Sequence, residues 1–260
     1  FDKISNILTL RYDPNNQSNL KKINWKDYLP KKTVNHTLIK NLLQNSLKKN
    51  LISKSNLSIA LSGGVDSTLL LSLTKEIFPD LPITAITITF PYSEDESKTA
   101  SNIAQNFDID HKIIHVDNFL KELPTAIGIL KEPYYDVMNW YYLVKNSKSV
   151  SNSLLTGDGA DEIFGGYTFR YSKFLNSIND NSSPIEKVEA YLQCHERDWV
   201  PDQENLFGHK SKFSWNQIND ILKPFFDNSL SSLDQLFLAD FNGKLKNNFI
   251  PNYEKFYNFF

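Results

Sequence analysis

A short run of small and acidic residues has the composition of a phosphate-binding turn. The apolar stretch Leu57 to Leu61 is typical of a buried strand, and Ser62-Gly63-Gly64-Val65-Asp66-Ser67 follows it directly. Apolar residues then recur at helical spacing, at Leu69, Leu70, Leu73 and Ile77. A strand, a glycine turn and a helix N-terminus direct unpaired backbone N–H groups and the positive helix end toward one point. The run therefore predicts an anion site with hydroxyl donors from Ser62, Ser67 and Thr68. Gly63 and Gly64 permit positive φ and allow a phosphate to approach the backbone closely.

Asp66 distinguishes this turn from the common nucleotide-binding loops. The sequence contains neither Gly-x-x-x-x-Gly-Lys-Ser/Thr nor a Gly-x-Gly-x-x-Gly after a strand. A carboxylate beside a polyphosphate is stable only when a divalent cation lies between them, so the sequence predicts Mg²⁺ here. The competing interpretation is an ordinary helix that starts after a glycine turn.

A second cluster of acidic residues follows the strand predicted at 153–156. Thr156 leads into Gly157-Asp158-Gly159-Ala160-Asp161-Glu162, and Ile163-Phe164-Gly165-Gly166-Tyr167 comes next. Three carboxylates so close together repel one another unless a cation or substrate groups intervene. A solvated acidic turn is the alternative, but the neighbouring aromatic residues favour partial burial.

Strands and helices alternate over roughly a hundred residues around the two turns. This alternation predicts a doubly wound parallel α/β sheet, in which ligands bind at the carboxyl ends of the strands. Both glycine-rich turns fall at such ends. The predicted strands are 57–61, 83–90, 112–116 and 153–156, and the predicted helices are 33–49, 94–107, 119–130 and 137–150.

The overall composition limits the classes of function. Of 260 residues, 40% are hydrophobic and 22% charged, and the net charge of −2 gives no electrostatic reason to expect nucleic acid or an anionic membrane surface as partner. No apolar stretch approaches the roughly 20 residues of a membrane span. The single cysteine, Cys194, excludes a disulfide framework. We therefore expect a cytoplasmic protein.

The two turns resemble the signatures of one enzyme family. The run from Ser62 to Ser67 resembles the pyrophosphatase loop (PP-loop) of enzymes that adenylate a substrate and release pyrophosphate. The segment from Thr156 to Tyr167 is similar to the second signature of the asparagine synthetases and of the related β-lactam synthetases. Further positions between the turns follow the same pattern, so the resemblance covers about residues 33–172. These positions are Glu96, Ala100, Ala104, His111 and Glu132 to Asp136.

The resemblance implies a fold of the PP-loop type and a two-step reaction that uses ATP and Mg²⁺. AMP is transferred from ATP to the β-carboxylate of aspartate, and ammonia then displaces AMP to give asparagine. By position, the resemblance implies phosphate contacts from Ser62, Gly63, Gly64, Asp66 and Ser67, magnesium ligands in Asp66 and Asp161, and an adenosine site formed by Leu61, Ile88, Thr156 and Gly157. Asp158, where some relatives have glutamate, is the candidate for orienting or deprotonating the amine. Glu162 is expected to be structural.

The sequence departs from the family pattern at both ends. Glutamine-dependent members begin with a cysteine in a glutaminase domain, and the segment Ile4 to Tyr28 is similar only to the closing strands and linker of that domain. Ammonia is therefore expected from solution, from a separate glutaminase subunit or from a missing domain. Asp240 to Pro251 resembles the start of the helical region, but an arginine-containing helix and a downstream lysine are absent. Activity is thus expected of the complete gene product rather than of these residues alone.

The resemblance and the periodicity together predict three parts. Residues 1–32 are expected to form a linker or edge hairpin with a strand-like stretch from Ile7 to Tyr12. Residues 33–172 form the ATP-binding synthetase domain. Residues 173–260 start a helical lobe, which we expect to be truncated, with helical periodicity in 184–195, 214–226 and 231–247.

Other functions remain open at this point. One is an adenylating ligase with a different acid or amine, such as a β-lactam synthetase. Another is a PP-loop enzyme that modifies tRNA, but such an enzyme needs basic patches and usually catalytic cysteines. A third is a non-catalytic ATP-binding subunit. The oligomeric state is also open, a homodimer included.

Three groups of residues have more ordinary explanations than a site. His111 and His115 lie four apart on a predicted strand, with no third metal ligand nearby, so they are interpreted as packing or surface histidines. Cys194, next to His195, is interpreted as a packed thiol. An aromatic set could line a substrate pocket or pack in the core, and it comprises Tyr134, Tyr135, Trp140, Tyr141 and Tyr142.

Overall fold

The computed structural model describes residues 2–28, 34–91, 95–133, 137–195, 203–208 and 213–260. Tyr134 and Tyr135 of the aromatic set lie outside these ranges. The chain divides into two compact units. The sheet unit comprises Lys31–Leu130, Tyr135–Asp158 and Tyr253–Phe260, and the helical unit comprises Phe1–Pro30, Lys131–Tyr134 and Gly159–Asn252.

The described residues form four strands and fourteen α-helices. The strands are β1 (Leu57–Ala60), β2 (Ile83–Thr89), β3 (Asp110–His115) and β4 (Leu154–Leu155). The helices are α1 (Asp2–Leu10), α2 (Trp25–Tyr28), α3 (His36–Leu51), α4 (Val65–Ile77), α5 (Ser97–Asn106), α6 (Leu123–Leu130), α7 (Met138–Ser147), α8 (Ala160–Phe164), α9 (Thr168–Ser177), α10 (Pro184–Gln193), α11 (Gln203–Phe207), α12 (Trp215–Leu222), α13 (Ser232–Asp240) and α14 (Ile250–Phe259). Short 3₁₀ turns occupy Phe119–Lys121 and Lys223–Phe225, and a π-helix spans Phe241–Phe249.

The strands form one parallel sheet in the order β3-β2-β1-β4. The chain steps from β1 to β2 to β3 and then returns to place β4 on the other side of β1, so the direction of winding reverses between β1 and β4. The predicted doubly wound parallel α/β fold is thereby confirmed. In such sheets the point of reversal opens a crevice at the carboxyl ends of the strands.

The core of the sheet unit follows from the apolar strands and from one face of each flanking helix. Ile59 and Ala85 are fully buried, and Leu71 of α4 and Ala100 of α5 pack in the same cluster. The predicted stripe on α4 was partly wrong, because Leu69 is 45% exposed and the neighbouring Leu71 faces the core instead.

The periodicity predicts an apolar face in the region of helix α3 at Val34, Leu38, Leu42 and Leu43, and only part of this face packs against the core. Val34 and Leu42 are exposed, whereas Leu47 and Leu51 are buried near the helix C-terminus. The helix begins where the Asn35 side chain accepts a hydrogen bond from the backbone N of Leu38 at 2.8 Å. The helix itself was predicted correctly.

The first segment of the chain corrects a prediction. Residues predicted as a strand-like edge hairpin or linker form helix α1 instead. Ile7 and Leu10, three positions apart, are both buried, and Arg11 ends the helix with φ of 67°. Thr9 and Arg11 alternate with Leu8, Leu10 and Tyr12, so this short stretch has the pattern of a strand although it begins in a helix.

The helical unit contains the helices predicted in the second half of the chain. Residues 184–195, 214–226 and 231–247 form α10, α12 with its 3₁₀ turn, and α13 with the π-helix. They share a core of large side chains, including Phe174, Tyr191 and Phe226. Within the ranges described above, no helix is long and apolar enough to cross a membrane.

Candidate active site

The two glycine-rich turns follow the adjacent strands β1 and β4. Ser58 pairs with Leu154 and Ile59 with Leu155, so both strands end at the same edge of the sheet. Ser62 to Ser67 leaves the sheet after β1, and Thr156 to Asp158 leaves it after β4. The structure therefore brings these parts of the two predicted signatures together at the point where the winding reverses.

The first turn is shaped by its own hydroxyl groups. The backbone N of Ser62 donates to Ser67 Oγ at 3.2 Å, and the backbone N of Gly64 donates to Ser62 Oγ at 3.1 Å. The two serine oxygens are 3.1 Å apart, and Ser67 is buried. Thr68 Oγ1 donates to the Gly64 carbonyl at 2.8 Å. Sequence reasoning assigned these hydroxyls to a phosphate, whereas in the structure they hold the turn in shape.

The glycines of this turn are required for space rather than for positive φ. Gly64 has φ of −80°, and Gly63 is outside the left-handed region as well, so neither residue uses the positive φ that glycine permits. A Cβ on Gly63 would lie 3.1 Å from Thr99 Cγ2. The turn thus lies directly against α5, and a larger residue at this position would push it away.

Helix α4 begins at this turn without a side-chain cap. Its N-cap is Gly64, which makes no side-chain cap hydrogen bond, and Gly64, Val65 and Asp66 are exposed. The first-turn N–H groups of a helix have no partners within the helix, and the helix dipole is positive there. This end of α4 is therefore suited to an anion.

Gly157 in the second turn lies against the first turn. A Cβ on Gly157 would be 3.1 Å from Asp66 Cβ and 3.1 Å from the backbone N of Ser67. Only glycine permits this approach without displacing one of the two backbones. The contact connects the start of the second signature to Asp66 and Ser67 of the first.

This contact predicts that Gly157→Ala lowers nucleotide affinity by about tenfold, because the added methyl group separates the two turns by a few tenths of an ångström. Gly128→Ala is the matched control, since nothing lies within 4 Å of a Cβ on this exposed glycine of α6. Nucleotide affinity measured by calorimetry should fall only for Gly157→Ala. Equal affinity for both variants would contradict a shared site at the two turns.

The candidate adenosine residues lie along the same edge of the sheet. The Leu61 backbone N donates to Ile86 O at 3.0 Å, and the Leu61 carbonyl accepts from Thr87 Oγ1 at 2.6 Å. Ile88 is half-buried near the end of β2. Sequence reasoning missed Thr87, because a threonine in an Ile/Thr alternation gives no sign that it supports the neighbouring strand.

The two histidines of β3 form hydrogen bonds with nearby hydroxyl residues. His111 Nε2 lies 2.8 Å from Thr87 Oγ1, and its Nδ1 lies 3.1 Å from Ser101 Oγ. Partial burial lowers the pKa of His111 below its ordinary value. His115 Nδ1 lies 2.8 Å from Thr89 Oγ1. The interpretation of both as packing or surface residues agrees with these contacts, and the buried Cys194 agrees with a packed thiol.

Asp158 is exposed and accepts a hydrogen bond from the hydroxyl of Tyr253. The Tyr253 ring packs on Trp140, with ring centroids 5.3 Å apart. Sequence reasoning missed Tyr253, since it is 95 residues from Asp158 and carries no local motif. Trp140, Tyr141 and Tyr142 of the aromatic set are buried.

Asp161 and Glu162 belong to the helical unit, in the short helix α8. The Asp161 carboxylate lies directly over Gly166, where a Cβ would overlap it. Glu162 is buried and accepts from the Tyr167 hydroxyl at 2.9 Å, and burial raises its pKa. These contacts agree with a structural role for Glu162. Asp66 and Asp161 lie in different units, so their shared magnesium site stays a prediction.

The acidic residues fit a metal only in combination with a nucleotide. Among the residues that the structure describes, no group of three or more His, Cys, Asp or Glu side chains could hold a metal ion. Mg²⁺ is commonly bound by one or two carboxylates together with substrate phosphates. Asp66 is exposed in the first turn of α4, which has no side-chain cap, and its role as a magnesium ligand stays a prediction.

A doubly wound α/β sheet with its candidate site at the point of reversal is typical of α/β proteins that bind a ligand in that crevice. The sequence model described as asparagine synthase matches residues 38–240, which is more than half of the chain. The chain therefore belongs to the asparagine synthase family.

Similar proteins share about a quarter of their residues with the chain. It is 26% identical over 203 residues to a putative glutamine-hydrolysing asparagine synthetase of Mycobacterium tuberculosis, covering 71% of this chain and 30% of that protein. It is 24% identical over 220 residues to asparagine synthetase 1 (glutamine-hydrolysing) of Bacillus subtilis, covering 78% and 35%. The chain thus spans about a third of the length of these relatives. An NMN synthetase structure from Francisella tularensis aligns with 82% of this chain and 94% of that one, at a TM-score of 0.43 and 19% identity.

Proposed function

We propose that the protein is an ATP-dependent, AMP-forming ligase that converts the β-carboxylate of aspartate to the amide of asparagine. The observation that carries the proposal is the approach of Gly157 to Asp66 and Ser67 at the reversal between β1 and β4. This contact supports a shared site, because it brings the uncapped start of α4 next to the turn that carries Asp158. Membership of the asparagine synthase family supports the choice of reaction.

In the first step, a substrate carboxylate oxygen attacks the α-phosphorus of ATP and pyrophosphate leaves. The first turn, from Ser62 to Ser67, binds the β- and γ-phosphates through backbone N–H groups and the positive end of α4. Because these donors are fixed before the reaction, they stabilise the charge that grows on pyrophosphate. Leu61, Ile88, Thr156 and Gly157 bind the adenosine at the edge of the sheet.

Asp66 would hold Mg²⁺ with the phosphates, and the family resemblance proposes Asp161 as a further ligand. Bound there, the ion would neutralise phosphate charge and assist the departure of pyrophosphate. Asp66 presents its carboxylate from an exposed first turn, where the positive helix end also favours a negative side chain.

In the second step, the nitrogen of ammonia attacks the carbonyl carbon of the acyl-adenylate. The bond from this carbon to the AMP oxygen breaks, AMP leaves with the electron pair, and Asp158 accepts the proton from nitrogen. An exposed carboxylate just after Gly157 is suited to this task. The ammonia comes from solution or from glutamine hydrolysis in another domain or subunit, and the names of the relatives favour glutamine.

Exchange of labelled pyrophosphate into ATP tests the proposal, because it requires only the first step. In the full-length protein, aspartate should stimulate exchange in the presence of Mg²⁺, and glutamate, one methylene longer, should not. If another acid stimulates exchange instead, that acid is the substrate and the protein is a different amide-forming synthetase. If ATP binds but no acid stimulates exchange, the proposed ligase activity is wrong and a non-catalytic nucleotide-binding subunit is favoured.

A further inference from the structure

Tyr253 and Asp158 are joined by a hydrogen bond within the sheet unit. The Tyr253 hydroxyl donates to Asp158 Oδ2, and its oxygen is also hydrogen-bonded to the side chain of Thr156. Thr156 and Asp158 flank Gly157, the residue that contacts the first turn. One phenol oxygen therefore links the two residues on either side of the closest contact between the turns.

The Tyr253 ring is held in place by several contacts of its helix. It packs on Trp140, which is buried, with an angle of 35° between the ring planes. One turn further along α14, Phe256 is fully buried with its ring centroid 5.6 Å from that of Tyr141. The Tyr257 hydroxyl donates to the carbonyl of Asn152. A side chain fixed in this way offers its hydroxyl in one direction.

The electrostatic surroundings keep this hydroxyl protonated. Burial, and then the charge of Asp158, raise the pKa of Tyr253 well above its ordinary value. Tyr253 is therefore a permanent donor at working pH. A carboxylate that accepts a hydrogen bond from a fixed donor is held in a narrow range of orientations.

We infer that Tyr253 is a positioning residue for amide formation, holding the Asp158 carboxylate in the orientation in which it takes the proton from the attacking amine. The inference rests on the proposed function. The proton moves from the amine nitrogen to Asp158 as AMP leaves, and Tyr253 retains its own proton throughout. Its contribution belongs to the second step, because pyrophosphate leaves before the amine reacts.

Tyr253→Phe removes the hydroxyl and keeps the ring that packs on Trp140. In the full-length protein, amide formation should fall by about tenfold, as expected when a reacting group loses its orientation, while pyrophosphate exchange stays near the wild-type rate. Tyr257→Phe is the matched control, since it removes a hydroxyl from the same helix whose partner is a backbone carbonyl. It should leave the ratio of the two rates unchanged.

A double-mutant cycle separates positioning from general damage. If Tyr253 acts through Asp158, Tyr253→Phe should cost no further amide formation in a chain that already carries Asp158→Ala. Hydroxylamine, which is largely unprotonated near neutral pH, should restore part of the amidation rate of Tyr253→Phe. Equal losses of exchange and amidation in Tyr253→Phe, or additive losses in the cycle, would overturn the inference alone. Absence of acid-stimulated exchange in the wild type would overturn the proposed function, and this inference with it.

Discussion

Asp66→Asn is expected to abolish magnesium-dependent nucleotide turnover, with a loss of at least about 10³-fold in the full-length protein. Asparagine keeps the shape of the side chain but exchanges a charged metal ligand for a neutral amide. The position is exposed in the first turn of α4, next to Gly157, so the change removes charge without opening a cavity. Pyrophosphate release, measured over a range of Mg²⁺ concentrations, checks the result.

The control must separate this effect from the ordinary preference for acidic residues at helix starts. An aspartate in the first turn stabilises a helix by about 0.3 to 1 kcal/mol, so thermal unfolding of Asp66→Asn should shift by only a few degrees. Asp80→Asn makes the same change of charge at an exposed position beyond the other end of α4. Turnover of Asp66→Asn equal to that of Asp80→Asn would refute the magnesium assignment.

The sheet was predictable because its evidence is local. Three of the four strands are short apolar or β-branched runs, as in β2 from Ile83 to Thr89, and the alternation with helices indicates the parallel arrangement. The first segment was not predictable, because its local evidence is too short. Six residues from Ile7 to Tyr12 are too few to distinguish a period of 2 from one of 3.6, and the contacts that select a helix come from distant residues.

The location of the candidate site was also predictable, whereas its internal contacts were not. Parallel strands end at a common edge, so two glycine turns after β1 and β4 had to be neighbours once the strand order was known. The need for glycine at position 63 depends on Thr99, and the setting of Asp158 depends on Tyr253. Such contacts join positions far apart in the chain, and no motif in a single sequence records them.

Asp158→Ala is expected to reduce amide formation by about 10²- to 10⁴-fold and to reduce adenylate formation much less. The carboxylate is placed to take a proton from the amine, and no amine takes part in the release of pyrophosphate. The two steps are measured separately as pyrophosphate exchange and as asparagine formed at saturating ammonia. Asp117→Ala is a suitable control, because Asp117 is also exposed and follows β3 at the same edge of the sheet.

The size of the two losses distinguishes a proton acceptor from a phosphate-site residue. Asp158 follows Gly157 directly, and Gly157 contacts Asp66 and Ser67. If Asp158 served mainly to shape that contact or to hold the metal, exchange and amidation would fall together, which would count against its role in proton transfer. Asp158→Glu keeps a carboxylate while lengthening its reach by one methylene, so it should recover much of the amidation lost in Asp158→Ala. Recovery of amidation in Asp158→Glu but not in Asp158→Asn would show that the negative charge itself is needed, as expected of a base.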